Sequence, residues 1–347
     1  MGITAILTVR NEGAFLLDWL AHHRAAGIDH FVVFSNNCQD GTDAMLDRLA
    51  DLGWLEHHRN DGPYDKGGIQ FTALKAAGKL KSVKSADWLL ALDVDEFVNV
   101  HVGDHTLPAL ITALPDATAI TLTWRLFGNA GVARFVDEPI TQQFRRAAPV
   151  VMYWPWRAAM FKTLYRNDGT YKMPGVHRPR RVDEEKLARA RWYDGSGRLL
   201  DAQFAQRRIF SNYGQDNYQL AQMNHYPLGA MESYVLKAAR GRAVHSDDML
   251  GLDYWVERNF NQEEDNSIDA LAPARDTVLK TLRGDAQLAG LHQQSVAWRQ
   301  AEFTRLLQLE PYRALFGRLL MTAPSNTITQ QAARFMVHHA NMAKAKD

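Results

Sequence analysis

Cysteine is almost missing from this chain: Cys38 is the only one among 347 residues. A single thiol excludes an intrachain disulfide and any cysteine-rich zinc site. A surplus of one charge sign is missing too. The formal net charge is +1, which gives no support to nucleic-acid binding, where a strong basic excess is the rule. No apolar run is long enough to span a bilayer. The first apolar stretch is short and meets Arg10, Asn11 and Glu12 at once, so no signal peptide is expected and a cytoplasmic location is. Attachment to the inner face of a membrane stays compatible with this composition. Internal repeats and low-complexity tracts are also missing. What is present is an ordinary globular profile, 46% hydrophobic and 23% charged. The length suits one large domain, or one domain with an appendage.

The first part of the chain alternates strand and helix signals. Ile3 to Val9 reads as a strand. Leu16, Trp19, Leu20 and His23 then recur at helical spacing until Gly27. His30 to Ser35 is a second strand, followed by a polar loop from Asn36 to Thr42. Asp43 to Leu52 predicts a helix, Trp54 to His58 a strand, Gly67 to Lys81 a helix and Trp88 to Leu92 a strand. Such alternation predicts an α/β fold with a mostly parallel sheet and helices on both faces. The middle is less regular: Ala119 to Trp124 reads as a strand, and Tyr171 to Arg181, with Pro174, Gly175 and Pro179, as a loop. From about Ala230 onward the pattern is almost wholly helical.

The segment Leu89 to Val98, LLALDVDEFV, carries the most information. An apolar run that reads as a buried strand ends abruptly in Asp93, Asp95 and Glu96. Charges at the mouth of a buried strand are costly unless paired or metal-bound. In open α/β sheets ligands sit outside the carboxyl ends of strands. The Asn36 to Thr42 loop lies at that same edge. Hard carboxylate ligands suit Mg²⁺ or Mn²⁺, which often bridge to substrate phosphates. The plain alternative is a strand running into a solvated acidic loop.

Three stretches occur in an order that resembles the family 2-type glycosyltransferases of the GT-A fold, and more narrowly a bacterial subgroup with an Arg-Asn-Glu turn. They are ILTVRNEGAFLLDWLAHHRAAGIDHFVVFSNNCQDGT, LDVDEFV and NHYPLGAMESYVLKAARG. The resemblance implies a Rossmann-like catalytic domain over 1–242, with a nucleotide-sugar half to about 105 and an acceptor half after it. A helical extension over 243–347 follows. It implies metal-dependent transfer of a sugar from a UDP- or GDP-linked donor to a carbohydrate or lipid-linked acceptor, in surface polysaccharide or glycolipid synthesis. Inversion at the anomeric carbon is expected.

Donor contacts then fall on Val9, Arg10, Asn11, Glu12, Asn36, Asp40, Lys66, Gln70, Asp93, Lys237 and Arg240. Asp95, His225 and Asp93 become the Mn²⁺ or Mg²⁺ ligands. Each has a plainer reading: Glu12 as a first-turn helix residue, Asp40 or Thr42 as a helix cap, His225 as a structural histidine, Lys237 and Arg240 as a solvated basic face. Glu96 either orients the motif or is solvated. His177 lies near the acceptor or diphosphate, or is a structural loop residue. An inverting enzyme needs a carboxylate base, and the usual Glu-Asp signature is not recognisable. Asp183, Glu184 and Glu185 come first in position, then Asp216, then Asp247 or Asp248.

Two rivals keep the acidic motif but change the chemistry. A haloacid dehalogenase-type phosphatase also begins from Asp-x-Asp at a strand end, yet Phe97 stands where it has Thr. A non-catalytic nucleotide- or carbohydrate-binding module would explain the missing base signature. In the extension, Tyr312, Leu315, Phe316, Leu319 and Leu320 recur at helical spacing. That predicts a helix packed on the catalytic domain, or else a contact with an anionic membrane leaflet or a dimer partner.

Overall fold

The computed structural model describes residues 1–64, 67–241 and 250–344. In chain order its strands are β1 (Ile3–Val9), β2 (His30–Ser35), β3 (Glu56–Arg59), β4 (Trp88–Leu92), β5 (Glu96–Val100), β6 (Ala119–Leu126), β7 (Arg146–Ala147), β8 (Phe161–Arg166), β9 (Tyr171–Met173), β10 (Arg180–Val182), β11 (Trp192–Asp194), β12 (Ala221–His225) and β13 (Glu263–Glu264). One nine-stranded sheet runs β3-β2-β1-β4-β8-β6-β12-β5, with β11 beside β6. The β3-β2-β1-β4 half is parallel throughout. β8 runs against β4 and β6, and β5 runs against β12. The expected α/β class, a mostly parallel sheet with a helical C-terminal part, is what forms.

The apolar strands explain the layers. Successive strand residues point to opposite faces. Leu7, Val9, Val33, Leu90 and Leu92 enter one core with Leu16, Trp19 and Leu20 of the first helix, Gly13–Ala25. Ile6, Val32, Phe34 and Leu89 enter the other core with Ala73, Leu74 and Ala77 of the helix Ile69–Ala77. A strand apolar at every position demands cover on both sides.

The first helix also buries His22 and His23. His22 Nε2 donates to the Val98 carbonyl at 2.7 Å, and His23 Nδ1 lies 2.8 Å from the Trp19 carbonyl. Burial pushes the His22 pKa down to about 4 and holds His23 well below the ordinary histidine range. The unfolded chain therefore takes up a proton near pH 6.5 that folded His22 refuses until about pH 4. Stability contributed by His22 is complete above the unfolded value and is lost as pH falls through that window, by roughly 3 kcal/mol in all. His22→Gln can still donate to Val98, and it should lose less stability than wild type between pH 6.5 and pH 4. Urea unfolding at both pH values tests this, since the comparison cancels the other titrating groups. Equal losses in the two proteins would sink it.

Several elements depart from the sequence reading. The third strand starts at Glu56, because the Trp54 amide still closes the preceding helix on the Leu49 carbonyl. The third helix breaks into Ile69–Ala77 and Lys81–Lys84, with the Gly78, Lys79 and Leu80 amides turning back on Leu74, Ala76 and Ala77. Tyr171 to Arg181 is not a loop. β9 and β10 pair antiparallel, with Arg180 opposite Met173 and Val182 opposite Tyr171. The prolines and Gly175 occupy the connection and hide the short strands on either side. Tyr171 anchors the hairpin by donating to the Ala205 carbonyl while accepting from Trp192 Nε1.

After Met231 the regular elements of the described chain are helices except for β13, which pairs with β7. The helices Ala272–Arg283 and Ala286–Leu306 pack on the first helix. The helix Glu310–Met321 buries Leu315 and Leu319 among Leu228, Met231, Tyr234 and Trp255. Among the described residues no helix is long and apolar enough to cross a membrane. The domain boundary expected near residue 242 lies outside the described residues.

Candidate active site

β1 ends at Val9, and the chain turns into the first helix through Arg10, Asn11 and Glu12. Asn11 has φ +56°, in the left-handed region where asparagine is enriched. Its Oδ1 accepts from the Gln39 amide at 2.7 Å. The Glu12 amide donates to Thr42 Oγ1 and the Gly13 amide to Asp40 Oδ2. Asp40 Oδ1 accepts from the Thr42 amide and hydroxyl. The loop after β2 is thus sewn to the turn after β1. A Cβ on Gly13 would lie 2.3 Å from Ser295 Oγ. That hydroxyl donates to the Asp40 carbonyl at 2.8 Å, so the helix Ala286–Leu306 is seated directly on this turn.

The acidic motif is a tight turn between β4 and β5. The Asp93 amide donates to Glu96 Oε2 at 2.8 Å, and the Glu96 amide to the Asp93 carbonyl at 3.1 Å. Trp19 Nε1 donates to the carbonyls of both residues. Glu96 is fully buried, not solvated, and also accepts from Trp124 Nε1 at 2.7 Å. Burial pushes its carboxyl up to about 8, with the Lys162 ammonium 3.3 Å away pulling the other way. Lys162 is equally buried and bonds Asp93 Oδ2 at 2.8 Å. Burial opposes its charge, but Asp93 and Glu96 together hold it above the ordinary lysine range. Gln70 Nε2 takes the other Asp93 oxygen at 2.8 Å.

Asp95 faces a different set of partners. Its Oδ2 accepts from Lys237 Nζ at 2.7 Å, and its Oδ1 lies 3.8 Å from His225 Nε2. Strand pairing makes this meeting. The β12–β5 register sets His225 opposite Glu96, and the Tyr226 amide donates to the Asp95 carbonyl at 2.8 Å. Burial works against charge on Asp95, yet Lys237 and His225 hold its carboxyl well below the usual range. Burial lowers the His225 pKa, which favours the neutral ring that ligates metals. On the helix Met231–Arg240, Lys237 also donates to the Pro227 carbonyl, and Arg240 bonds the Glu12 carboxylate and the Arg10 carbonyl.

These groups line a cleft at the carboxyl edge of the sheet. It has two lobes, each of about 250 Å³, that share Arg10, Glu12, Asp95, Lys237 and Arg240. The edge lobe is completed by Val9, Asn36, Gln70, Asp93, Trp124, His225 and Tyr254. The second lobe, which Asn11 lines, opens toward the helices Ala286–Leu306 and Glu310–Met321.

The donor set fits a divalent cation only in part. Asp95 Oδ1 and His225 Nε2 face one another on the lobe wall. Asp93 does not join them, because Gln70 and Lys162 hold both its oxygens. Among the described residues no three His, Cys, Asp or Glu side chains cluster to hold a metal. The Asp95–His225 pair suits a cation that completes its shell with phosphate oxygens and water. The expected three-residue set with Asp93 does not form.

Other expected residues lie elsewhere. The Asp40 carboxylate is spent on Gly13 and Thr42 and lines neither lobe. Thr42 is the first residue of its helix, with Gly41 at the cap. Asp183 faces Lys172 at 3.5 Å, and Glu184 and Glu185 are exposed on a short helix. Asp216 accepts from the Tyr218 amide at 2.8 Å. None of these base candidates lines the cleft. His177 Nδ1 lies 3.0 Å from the Phe161 carbonyl, its ring rests on Trp124, and burial lowers its pKa to about 4. It lines neither lobe. Lys66, Asp247 and Asp248 lie outside the described residues. Lys162 and Trp124 were not anticipated. The signal for Lys162 was available: a lone lysine inside the apolar strand MFKTLY implies a buried partner.

A charged cleft outside the carboxyl ends of a mostly parallel sheet, walled by a carboxylate turn and a late histidine, is the layout of the GT-A glycosyltransferases. Residues 7–191 match the model of glycosyltransferase family 92, just over half of the chain, and the chain belongs to that family. It is similar to a family 92 protein of Ricinus communis, 30% identical over 98 residues, which are 27% of this chain and 16% of that protein. A family 92 protein of Oryza sativa subsp. japonica is 26% identical over 149 residues, 41% of this chain and 24% of that one. The matched part is therefore less than a quarter of either relative. Among solved structures, S. aureus TarS 1-349 in complex with UDP aligns at 17% identity and a TM-score of 0.30, over 48% of this chain and 47% of that one. The glycosyltransferase class read from the motifs stands; the family that matches is 92. The phosphatase alternative falls with it, and Phe97 is a core residue of β5.

Proposed function

We propose that the chain transfers a sugar from a nucleoside-diphosphate donor, UDP- or GDP-linked, to an acceptor hydroxyl, with inversion at the anomeric carbon. One observation carries the reading. Asp93 and Asp95 from the end of β4, His225 from the end of β12, and Lys237 and Arg240 from one helix converge on a single lobe at the sheet edge. Asn36 and Val9, which line the edge lobe alone, form the end suited to the nucleoside. Asp93, held still by Lys162 and Gln70, is oriented to accept from a ribose or sugar hydroxyl. Lys237 and Arg240 present cationic donors to the diphosphate, for which ammonium and guanidinium groups are suited. Asp95 and His225 would hold Mn²⁺ or Mg²⁺. When bound, the cation supplies positive charge against the departing nucleoside diphosphate. The acceptor is a carbohydrate or a lipid-linked saccharide, and the setting is cytoplasmic synthesis of surface polysaccharide or glycolipid.

Calorimetric titration of UDP and of GDP, with and without Mn²⁺, on wild type and Asp95→Ala, tests this. One nucleotide should bind wild type with Mn²⁺ at least tenfold more tightly than without it, and that gain should vanish in the variant. Binding of neither nucleotide, or binding indifferent to metal and to Asp95, overturns the reading.

A further inference from the structure

The second lobe holds a charge imbalance that the proposed reaction does not use. Its lining includes five cations and three carboxylates. Three ion pairs account for all the carboxylates: Arg240 with Glu12, Lys237 with Asp95, and Arg305 with Glu302. Arg10 and Arg299 remain. Arg10 makes one long bond, Nη1 to the Arg240 carbonyl at 3.4 Å, and its Nε is buried without an acceptor.

Arg299 is the sharper case. It is only 8% exposed, and its Nε also lacks an acceptor. Its guanidinium lies against the edge-to-face pair of Phe15 and Phe135, with 4.6 and 5.1 Å to the ring centroids. Contact with aromatic rings attracts the cation but cannot satisfy its in-plane N–H groups. Among the described residues no carboxylate pairs with it. Burial lowers its pKa to about 10, so it stays charged at neutral pH. Glu12, Asp40 and Glu232 attract it only from beyond ion-pair distance. A buried cation without a contacting counter-charge is costly, and this one faces a cavity large enough for a ligand.

Apart from Asn11, Gln39 and Ser233, most of the remaining lining is apolar. Trp298, Leu309 and Tyr312 line one side of it, and Leu309 is 45% exposed, so that wall reaches the surface. We propose that this lobe binds a phosphate group carried on an apolar body, with the guanidiniums of Arg299 and Arg10 on the phosphate and the body against Trp298 and Leu309. Because the two lobes share Asp95 and Lys237, such a ligand lies beside the donor and is the acceptor or its carrier. That last assignment rests on the function proposed above; the anion site does not.

The test is calorimetric titration of hexyl phosphate, and separately of inorganic phosphate, into the full chain. Wild type should bind hexyl phosphate at least tenfold more tightly than inorganic phosphate. Arg299→Gln and Trp298→Ala should each weaken it at least tenfold, Arg299→Lys should retain part of the affinity, and Asn36→Ala in the edge lobe should leave it unchanged. Binding should persist when the donor nucleotide is saturating. If Arg299→Gln does not fold, Trp298→Ala decides. Inorganic phosphate binding as tightly as hexyl phosphate overturns the apolar body. Affinity indifferent to both Arg299 and Trp298, or full displacement by nucleotide, overturns the site. Arg299-dependent hexyl phosphate binding in a protein that binds neither UDP nor GDP would uphold this site while removing the proposed reaction.

Discussion

Asp95→Asn should lower kcat for sugar transfer by about a thousandfold while the protein stays folded. The amide has the shape of the carboxylate, and its oxygen can still accept from Lys237, now 2.7 Å away. What disappears is the negative charge. On the proposed reading that charge and His225 together hold the divalent cation, whose stabilisation of the leaving group is worth several kcal/mol, about three powers of ten in rate. The Asp95 carboxyl lies well below its ordinary pKa, so it is ionised throughout the neutral range and the loss should not depend on pH there. The measurement is steady-state transfer with the nucleotide sugar identified by calorimetry, beside a circular dichroism melt. A variant within tenfold of wild type, at any Mn²⁺ concentration, would remove Asp95 from the site.

The second large effect is on stability. Lys162→Met should destabilise the fold by about 3–5 kcal/mol, the usual consequence of removing one member of a buried ion pair. Lys162 and Glu96 are both fully buried, and the lysine is the cation shared by Glu96 and Asp93. Without it, Asp93 at the cleft wall loses its cation, and the buried Glu96 carboxyl, already pushed upward by burial, loses the charge that pulled it down. Glu96→Gln added to Lys162→Met should restore part of the loss, since it removes a carboxyl that must take up a proton to stay buried once the lysine is gone, and it keeps an acceptor for Trp124 Nε1. Urea unfolding of the two single variants and the double variant gives the coupling directly. Additive losses would show that the three groups do not act as a unit, and a loss below about 1 kcal/mol in Lys162→Met would show that the pair is not stabilising.

Much of the cleft was legible because its signals are local. A buried strand that ends in three carboxylates is visible from Leu89 to Glu96, and the alternation of elements up to that point places it at the sheet edge. Arg10, Asn36, Gln70, His225, Lys237 and Arg240 all line the cleft. Asp40 misleads because an aspartate in a loop before a helix reads the same whether it meets a ligand or two amides. Asp183, Glu184 and Asp216 mislead because only their position in the chain recommended them. The hairpin of β9 and β10 was hidden by its own turn residues, since short strands carry little periodicity.

By itself the sequence determined the class of fold, the strand that carries the acidic motif and the helical character of the C-terminal part, because hydrophobic period and strand-end composition are properties of neighbouring residues. Only the tertiary structure decided which partners each carboxylate meets. Lys162 arrives on the antiparallel strand β8 and takes Asp93, while the β12–β5 register brings His225 to Asp95. The seating of the helix Ala286–Leu306 on Gly13 likewise brings Arg299 to Phe15. Such pairings depend on strand register and helix placement between segments distant in the chain, which no local pattern encodes.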